Sequence, residues 1–506
     1  VNPGPSSHAL LRLVRPRLLD PVGAAPGSAS GIEPGAALLL DRDQRAVVER
    51  VAGGGDRALL VLGAPGTGKT TVAVEAVAAA VARGDLAPED VLVLAASRRS
   101  AAELRDRLSA RLQLTSGQAM VRTSASAAFA VLRARAGLLG EPAPTLISGP
   151  EQDLLLAELL AGHAEGDGVP VTWPAGVPVE ALGLRAFRDE LRDLLMRAAE
   201  RGLTPGHLEE LGERHGRSAW VAAAVVYQEY LDVTVLRAAT PDVGARYDPA
   251  VVVEEAAEAL LAWDDEVAGA PRPQWRLVVV DDHQESTAAT ARLLRVLADD
   301  GARLVLLADP DAAVQTFRGA SPALVGRADV EGDGPGELGA DRLVLGTVWR
   351  HGARLREVVT GVTARVGAVG AVAHRRATTS DVTSAGTARV AILPSAAQEA
   401  AYVAHTLRAA HLEDGTPWDS MAVIARSGAQ VTALRRSLAG ASVPVTVSGS
   451  DVALRDEPAV RPLLEAVRCV LGPVAARAES RAGLDAETAA RLLCSPLGGL
   501  DAVGLR

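Results

Sequence analysis

Lys69 is the single lysine in a chain of 506 residues that carries 52 basic side chains. It lies in the stretch Gly63-Ala64-Pro65-Gly66-Thr67-Gly68-Lys69-Thr70-Thr71, which fills the pattern G-x-x-x-x-G-K-[ST]. Glycines in such a loop let backbone N–H groups wrap a phosphate chain at the positive end of the following helix. The Lys69 ammonium is a compact point charge able to reach the β and γ phosphates, and the Thr70 hydroxyl can bind Mg²⁺. An arginine is a wide planar fork and does not fit that space. The Ala, Gly, Val and Arg bias of the chain explains why lysine is scarce; the chemistry of a phosphate site explains where the one lysine stands.

A triphosphate site also needs a carboxylate for the metal at the end of a neighbouring strand. The segment RLVVVDDHQ supplies two. Asp281 is placed to take Mg²⁺ through water, and Asp282 to orient or deprotonate an attacking water. The alternative is a pair of strand-end aspartates that cap a helix. The cofactors implied are ATP and Mg²⁺.

These residues require a scaffold in which strands end beside helix starts. Apolar runs at 58–63 and 91–96 alternate with helical patterns after Lys69 and over 100–112, the signature of a parallel α/β sheet. From 125 to 265 the apolar spacing is helical, as in LRAFRDELRDLLMRAAERG. Strand patterns resume at 275–282 and 303–310. Beyond a loose stretch at 366–387, strand patterns ARVAILP, MAVIAR and VPVTVSG alternate with helices near 397–411 and 429–439. Residues 21–36 are a Pro/Gly/Ser linker, and the last 35 or so residues read as helical.

The composition restricts the function classes. A net charge of −10 opposes a general attraction for phosphate backbones, so any nucleic-acid contact must be a local arginine groove. Arg98, Arg99, Arg105, Arg107 and Arg111 are the candidates for it, the other reading being a solvated helix face. Two cysteines, Cys469 and Cys494, cannot build a disulfide framework or a four-thiolate metal site, and no apolar run reaches membrane-span length. The expectation is a cytoplasmic protein.

Four further segments stand in a fixed order around the glycine-rich loop: LLLDRDQRAVV before it, then the two aspartates, DPDAAVQTFRGA and LVLGTVWRHG. This order resembles the superfamily 1 DNA helicases of the UvrD/Rep/PcrA type, whose elements read L-N-x-x-Q-x-x-A-V, D-E-x-Q, G-D-x-D-Q-S-I-Y-x-[FW]-R-G-A and N-Y-R. WDSMAVIARSGAQ resembles the D-I-A-V-L-x-R-x-N-x-Q segment of the second motor domain. The helical block is similar to that of the actinobacterial AdnAB helicase-nuclease subunits, AdnA more than AdnB.

The resemblance implies a RecA-like P-loop NTPase fold with parallel sheets in domain 1A and in part of domain 2A. The boundaries it implies are a linker at 1–36, domain 1A over 37–124 and 266–365, a helical insertion 1B over 125–265, an incomplete 2A over 388–472, and the start of a helical 2B over 473–506. It makes Gln44 the adenine-reading amide, where a local reading makes Asp41-x-x-Gln44 a capping-box variant. It makes Trp349 the aromatic stacked on adenine, Arg350 a γ-phosphate arginine, Gln284 the last residue of D-E-x-Q, and Phe317 a base-stacking side chain. Arg98 and Arg99 fall in the family's T-F-T-N-K segment and are expected to touch DNA. The partners implied are single-stranded DNA and duplex ends, and a second UvrD-like motor-nuclease subunit in a heterodimer that processes double-strand breaks by recombination and repair.

The departures from the family pattern are as informative. Asp282 stands for its glutamate, which withdraws the carboxylate by roughly 1.5 Å, and misplacements of about 1 Å can cost about a hundredfold in rate. Ala312 and Gln315 replace the third motif's Gln and Tyr, and the stacking Phe of T-F-T-N-K becomes Ala96. Each lost stacking aromatic removes about 1–3 kcal/mol per base. The expectation is a weakened ATP-dependent motor, the alternative being a degenerate ATP-binding scaffold that supports a partner. The family's motifs V and VI and a nuclease domain are expected beyond Arg506.

Overall fold

Leu59–Gly63 (β1) is apolar and buried at every position, as a strand covered on both faces must be. The computed structural model describes residues 39–55, 57–113, 119–238 and 244–447, together with 460, 462–467, 469, 486–495 and 498. The linker expected at 21–36 lies outside these residues. The further strands are Val91–Ala95 (β2), Val121–Thr123 (β3), Thr145–Leu146 (β4), Arg246–Tyr247 (β5), Leu277–Val280 (β6), Arg303–Ala308 (β7), Asp341–Leu345 (β8), Thr347–Val348 (β9) and Thr378–Thr379 (β10). Six of them form one sheet in the order β3-β2-β6-β7-β1-β8, and every pairing is parallel. The α/β class with a parallel sheet is therefore what the sequence pattern predicted.

Alternation along the strands builds two cores. Leu59, Val61, Val91, Val93, Leu277, Val279, Val305 and Leu307 face helices Arg42–Ala52 (α1), Lys69–Ala82 (α2) and Arg98–Leu112 (α3). Their neighbours Leu60, Leu62, Leu92, Leu94, Val278, Val280, Leu304 and Leu306 face Ser124–Leu139 (α4) and the helices Val252–Leu261 and Ala288–Asp299. Each strand residue loses water on one side or the other, worth about 1.5–3 kcal/mol per fully buried Leu or Val. The tight crossing from β1 into α2 and the C-terminal ends of β6 and β7 thus converge on one edge of the sheet, where open α/β sheets hold ligands.

The helical stretch between β3 and β6 is not uniform. α4 and Val252–Leu261 pack on the sheet, whereas helices Gly149–Glu165, Arg185–Glu200, Pro205–Arg214 and Ser218–Ala238 surround their own core of Leu156, Leu160, Leu195, Val226 and Tyr230.

The chain divides at Ala388 into two compact units. In the second, helices Ala396–Leu412 and Gly428–Gly440 meet at Ala404, Leu438 and Val443. The strands expected in ARVAILP, MAVIAR and VPVTVSG are not formed among the described residues. Val390, Ile392 and Ile424 are 94–95% exposed, so no neighbouring strand or covering helix among the described residues gives these β-branched runs the ladder that would make them a sheet. No helix among the described residues is long and apolar enough to cross a membrane.

Candidate functional site

The loop between Gly63 and Lys69 is shaped by two left-handed glycines, Gly66 at φ +84° and Gly68 at φ +89°. A Cβ on Gly66 would stand 2.8 Å from the Arg350 Cβ, and one on Gly68 2.6 Å from the Gln44 amide nitrogen. Pro65 and Gly66 form the half-buried crest, while Thr67 is buried and its hydroxyl donates to the Ala64 carbonyl at 2.9 Å. The Lys69 ammonium donates to the carbonyls of Gly63 at 2.8 Å and Ala64 at 3.4 Å, and lies 3.8 Å from Asp309. Burial pushes its pKa down; Asp309, Asp282 and Asp281 oppose that, and Arg350 adds to it. A desolvated ammonium folded back on its own loop gains on meeting a polyanion.

Thr70, the first hydroxyl of α2, donates to Asp281 at the end of β6 at 2.9 Å. The second oxygen of Asp281 is buried without a partner, and burial, followed by the charge of Asp282, raises this carboxyl to about 6. A hydroxyl beside an orphaned buried carboxylate oxygen suits a hard divalent cation with its waters, so Thr70 and Asp281 fit Mg²⁺.

Asp282 has φ +57°, a region that aspartate tolerates better than most side chains. The amide of Gln284 donates to its carboxylate at 3.1 Å and accepts from the Asp309 backbone N–H at 3.0 Å. His283 between them is fully buried, pushed down to about 4 by burial, and pairs with Ser286 at 3.0 Å; it is neutral at pH 7.

Along the loop's rim, Trp349 donates its backbone N–H to the Gly66 carbonyl at 2.8 Å and its indole N–H to Asp41 at 2.9 Å. Asp41 and Gln44 form the capping box of α1, and the Gln44 amide also donates to the Thr67 carbonyl at 3.0 Å. The capping-box reading of Gln44 holds, and the same amide touches the loop. Arg350 stands beside Gly66, and Thr71 accepts from Arg107 at 3.1 Å.

Three of the five arginines weighed for a basic groove are engaged within the protein. Arg107 is turned to Thr71, Arg111 grips Glu75 with two bonds of 3.0 and 3.1 Å, and Arg105 reaches the Val121 carbonyl at 3.3 Å. Arg107 and Arg111 are half-buried against α2, while Arg105 is exposed with one bond to β3. Arg98 and Arg99 stand exposed at the start of α3. Phe317 is 65% exposed, with the Arg318 guanidinium 5.3 Å over its ring.

A buried charge cluster escaped sequence reading. His374 lies 2.9 Å from Asp311 and 3.3 Å from Asp309, and Arg375 forks Asp311 at 2.5 and 2.8 Å. One atom each of Asp309, Asp311 and His374 come within 4.8 Å of one another, but Arg375 and Lys69 already compensate the two carboxylates. Arg356 braces this turn through the carbonyls of Ala377 and Arg375 at 3.0 and 2.7 Å. The only signal was the pair of aspartates in DPDAAVQTFRGA; their partners lie over 60 residues downstream, with no spacing to tie them.

Comparison with known proteins gives two findings. The UvrD/REP helicase N-terminal domain matches residues 40–330. DNA helicase II of Escherichia coli (strain K12) is 25% identical over 269 residues, which are 52% of this chain and 33% of that protein. The chain thus spans about a third of the length of this relative.

Proposed function

The chain belongs to the UvrD/REP helicase family, and from that premise we propose that it is the nucleotide-binding portion of an ATP-dependent DNA helicase or translocase. The observation that carries this reading is the 2.9 Å bond from Thr70 to Asp281, which joins the glycine-rich loop to the acidic strand end. In this reading Gly63 to Thr71 wrap the phosphates, Lys69 leaves the loop carbonyls for the β and γ phosphates, and Gln44 and Trp349 receive the adenine. Magnesium held by Thr70 and Asp281 would neutralise charge on the phosphate oxygens. Asp282, fixed by Gln284, orients the attacking water, and Arg350 steadies the γ phosphate. Phe317 meets single-stranded DNA, and Arg98 and Arg99 are further candidates to touch it.

Within that class we favour a subunit of AdnA type in a helicase-nuclease that processes DNA ends, working with a second UvrD-like subunit in the cytoplasm. The shortened Asp282 and Ala312 favour an attenuated motor. They also support a second reading, a scaffold that binds ATP while the partner does the translocation. The assignment of domains 1A, 1B, 2A and 2B is part of this proposal and rests on the order of the sequence motifs.

The test is nucleotide uptake and hydrolysis with and without single-stranded DNA, in the native sequence and Lys69→Ala. An attenuated motor hydrolyses ATP slowly, is stimulated by DNA and stops with Lys69→Ala. Hydrolysis indifferent to both overturns the motor. Tight binding without hydrolysis, lost in Lys69→Ala, selects the scaffold.

A further inference from the structure

Three consecutive residues after Asp282 and His283 hold the segment 309–321 at three points. Gln284 accepts from the Asp309 N–H at 3.0 Å, and the Ser286 carbonyl accepts from the Ser321 N–H at 2.9 Å. Between them the two carboxylate oxygens of Glu285 accept from two successive backbone N–H groups, Val314 at 2.8 Å and Gln315 at 2.9 Å. Gln315 begins the turn Thr316–Arg318: its carbonyl accepts from Arg318 at 2.8 Å and from Ala320 at 3.2 Å. That turn presents Phe317. Val314 is 71% exposed, so little apolar packing holds this part of the segment. Charge-assisted bonds to a carboxylate are roughly twice as strong as neutral ones.

We propose that Glu285 is a positioning residue that sets the Phe317 turn from the nucleotide side of the site, so that nucleotide occupancy and nucleic-acid affinity are coupled through it. The inference rests on the proposed reading that nucleotide sits at Lys69 and a base on Phe317. Its physical content is short. Asp281, Asp282 and Gln284 face the phosphate site, and any adjustment of their turn moves Glu285, the next residue. Glu285 carries two N–H groups of the Phe317 segment with it. A one-residue lever of this kind needs no contact with either ligand.

The experiment measures the affinity of the full chain for a fluorescent oligothymidylate with and without Mg²⁺·ADP, for the native sequence, Glu285→Ala, Glu285→Gln, Phe317→Ala and the Glu285→Ala/Phe317→Ala pair. Titration with a fluorescent ADP is run beside it. Linkage predicts that nucleotide changes the oligonucleotide affinity of the native chain by about fivefold or more. Glu285→Ala brings that ratio within about twofold of unity while ADP binding stays unchanged. Glu285→Gln, which keeps one acceptor oxygen, lies between. The double variant is no weaker for DNA than Phe317→Ala alone, because contacts that act through one another are not additive. Backbone amide exchange at Val314 and Gln315 rises in Glu285→Ala. A native ratio above fivefold that persists in Glu285→Ala and Glu285→Gln overturns the lever and leaves the helicase reading standing. A native chain that binds ADP but no oligonucleotide overturns both.

Discussion

The hydroxyl of Thr70 and the carboxylate of Asp281 lie 211 residues apart in the chain and 2.9 Å apart in space. Their meeting requires β1 and β6 in one parallel sheet, which the ladder β1-β7-β6 provides. Asp281→Asn should therefore lower Mg²⁺-dependent nucleotide affinity by about ten- to a hundredfold, the range for loss of a group that holds or orients a metal. Binding measured in excess chelator should change little. Calorimetric titration with and without Mg²⁺ separates the two.

The same carboxyl makes stability depend on pH. Its folded value of about 6 lies above its ordinary value of 3.8 because burial and Asp282 disfavour the charge. A raised carboxyl binds its proton longer in the folded chain, so stability falls as pH rises from about 4 to 6 and the whole loss, roughly 2–3 kcal/mol, is present above pH 6. Asp281→Asn should flatten that window and raise the melting temperature of the nucleotide-free chain at pH 8. Melting curves from pH 4 to 8 check it: a window of unchanged depth in the variant assigns the slope to other groups.

What the sequence made legible, and what it did not, follows from range. The loop 63–71 is local: glycine, lysine and threonine spacing dictates its conformation, and the strands 59–63 and 91–95 are continuous apolar runs. β3 holds three residues and β8 starts with Asp341 and Arg342, so neither carries a periodic signal, and pairing with β2 and β1 alone defines them. The runs 388–393 and 421–426 read as strands because propensity says only that they suit a sheet, not that a neighbour is there. Arg107 and Arg111 show the same limit. A basic helix face looks like a groove until Thr71 and Glu75 of α2 are placed beside it.

His374 is the clearest long-range case. Its Nε2 pairs with Asp311 at 2.9 Å and the same nitrogen lies 3.3 Å from Asp309, in a fully buried position. His374→Ala should leave the Asp311 carboxylate short of a partner and take the imidazole away from Asp309, at about 1–3 kcal/mol. The melting temperature should drop by several degrees, and nucleotide affinity should fall with it because Asp309 faces Lys69. His374→Asn, which keeps an N–H donor, should recover part of both. A variant that melts with the native chain removes the cluster from the stability account.

Two glycines distinguish strain from site chemistry. Gly66 and Gly84 share left-handed backbones of +84° and +81°, but a Cβ at Gly66 meets Arg350 at 2.8 Å while one at Gly84 meets nothing within 4 Å. Alanine at either should destabilise by about 1–2 kcal/mol through backbone strain. Only Gly66→Ala should also abolish nucleotide binding, since it fills the space the loop keeps open. Equal nucleotide affinity in the two variants contradicts the loop's assignment.

Asp282 sets the strongest test of an attenuated motor. Its φ of +57° is one that aspartate visits more readily than longer side chains, and its carboxylate is held by the Gln284 amide at 3.1 Å. Asp282→Glu restores the methylene that the family pattern supplies, bringing the oxygens roughly 1.5 Å further toward the phosphate side, and position errors near 1 Å are worth up to about a hundredfold in rate. ATP turnover should rise by about tenfold or more, while the melting temperature falls slightly because glutamate fits the left-handed backbone less well. The two changes must appear together in one variant. A chain that loses stability and gains no turnover has a hydrolytic step limited elsewhere, and the scaffold reading then becomes the better account of Asp282.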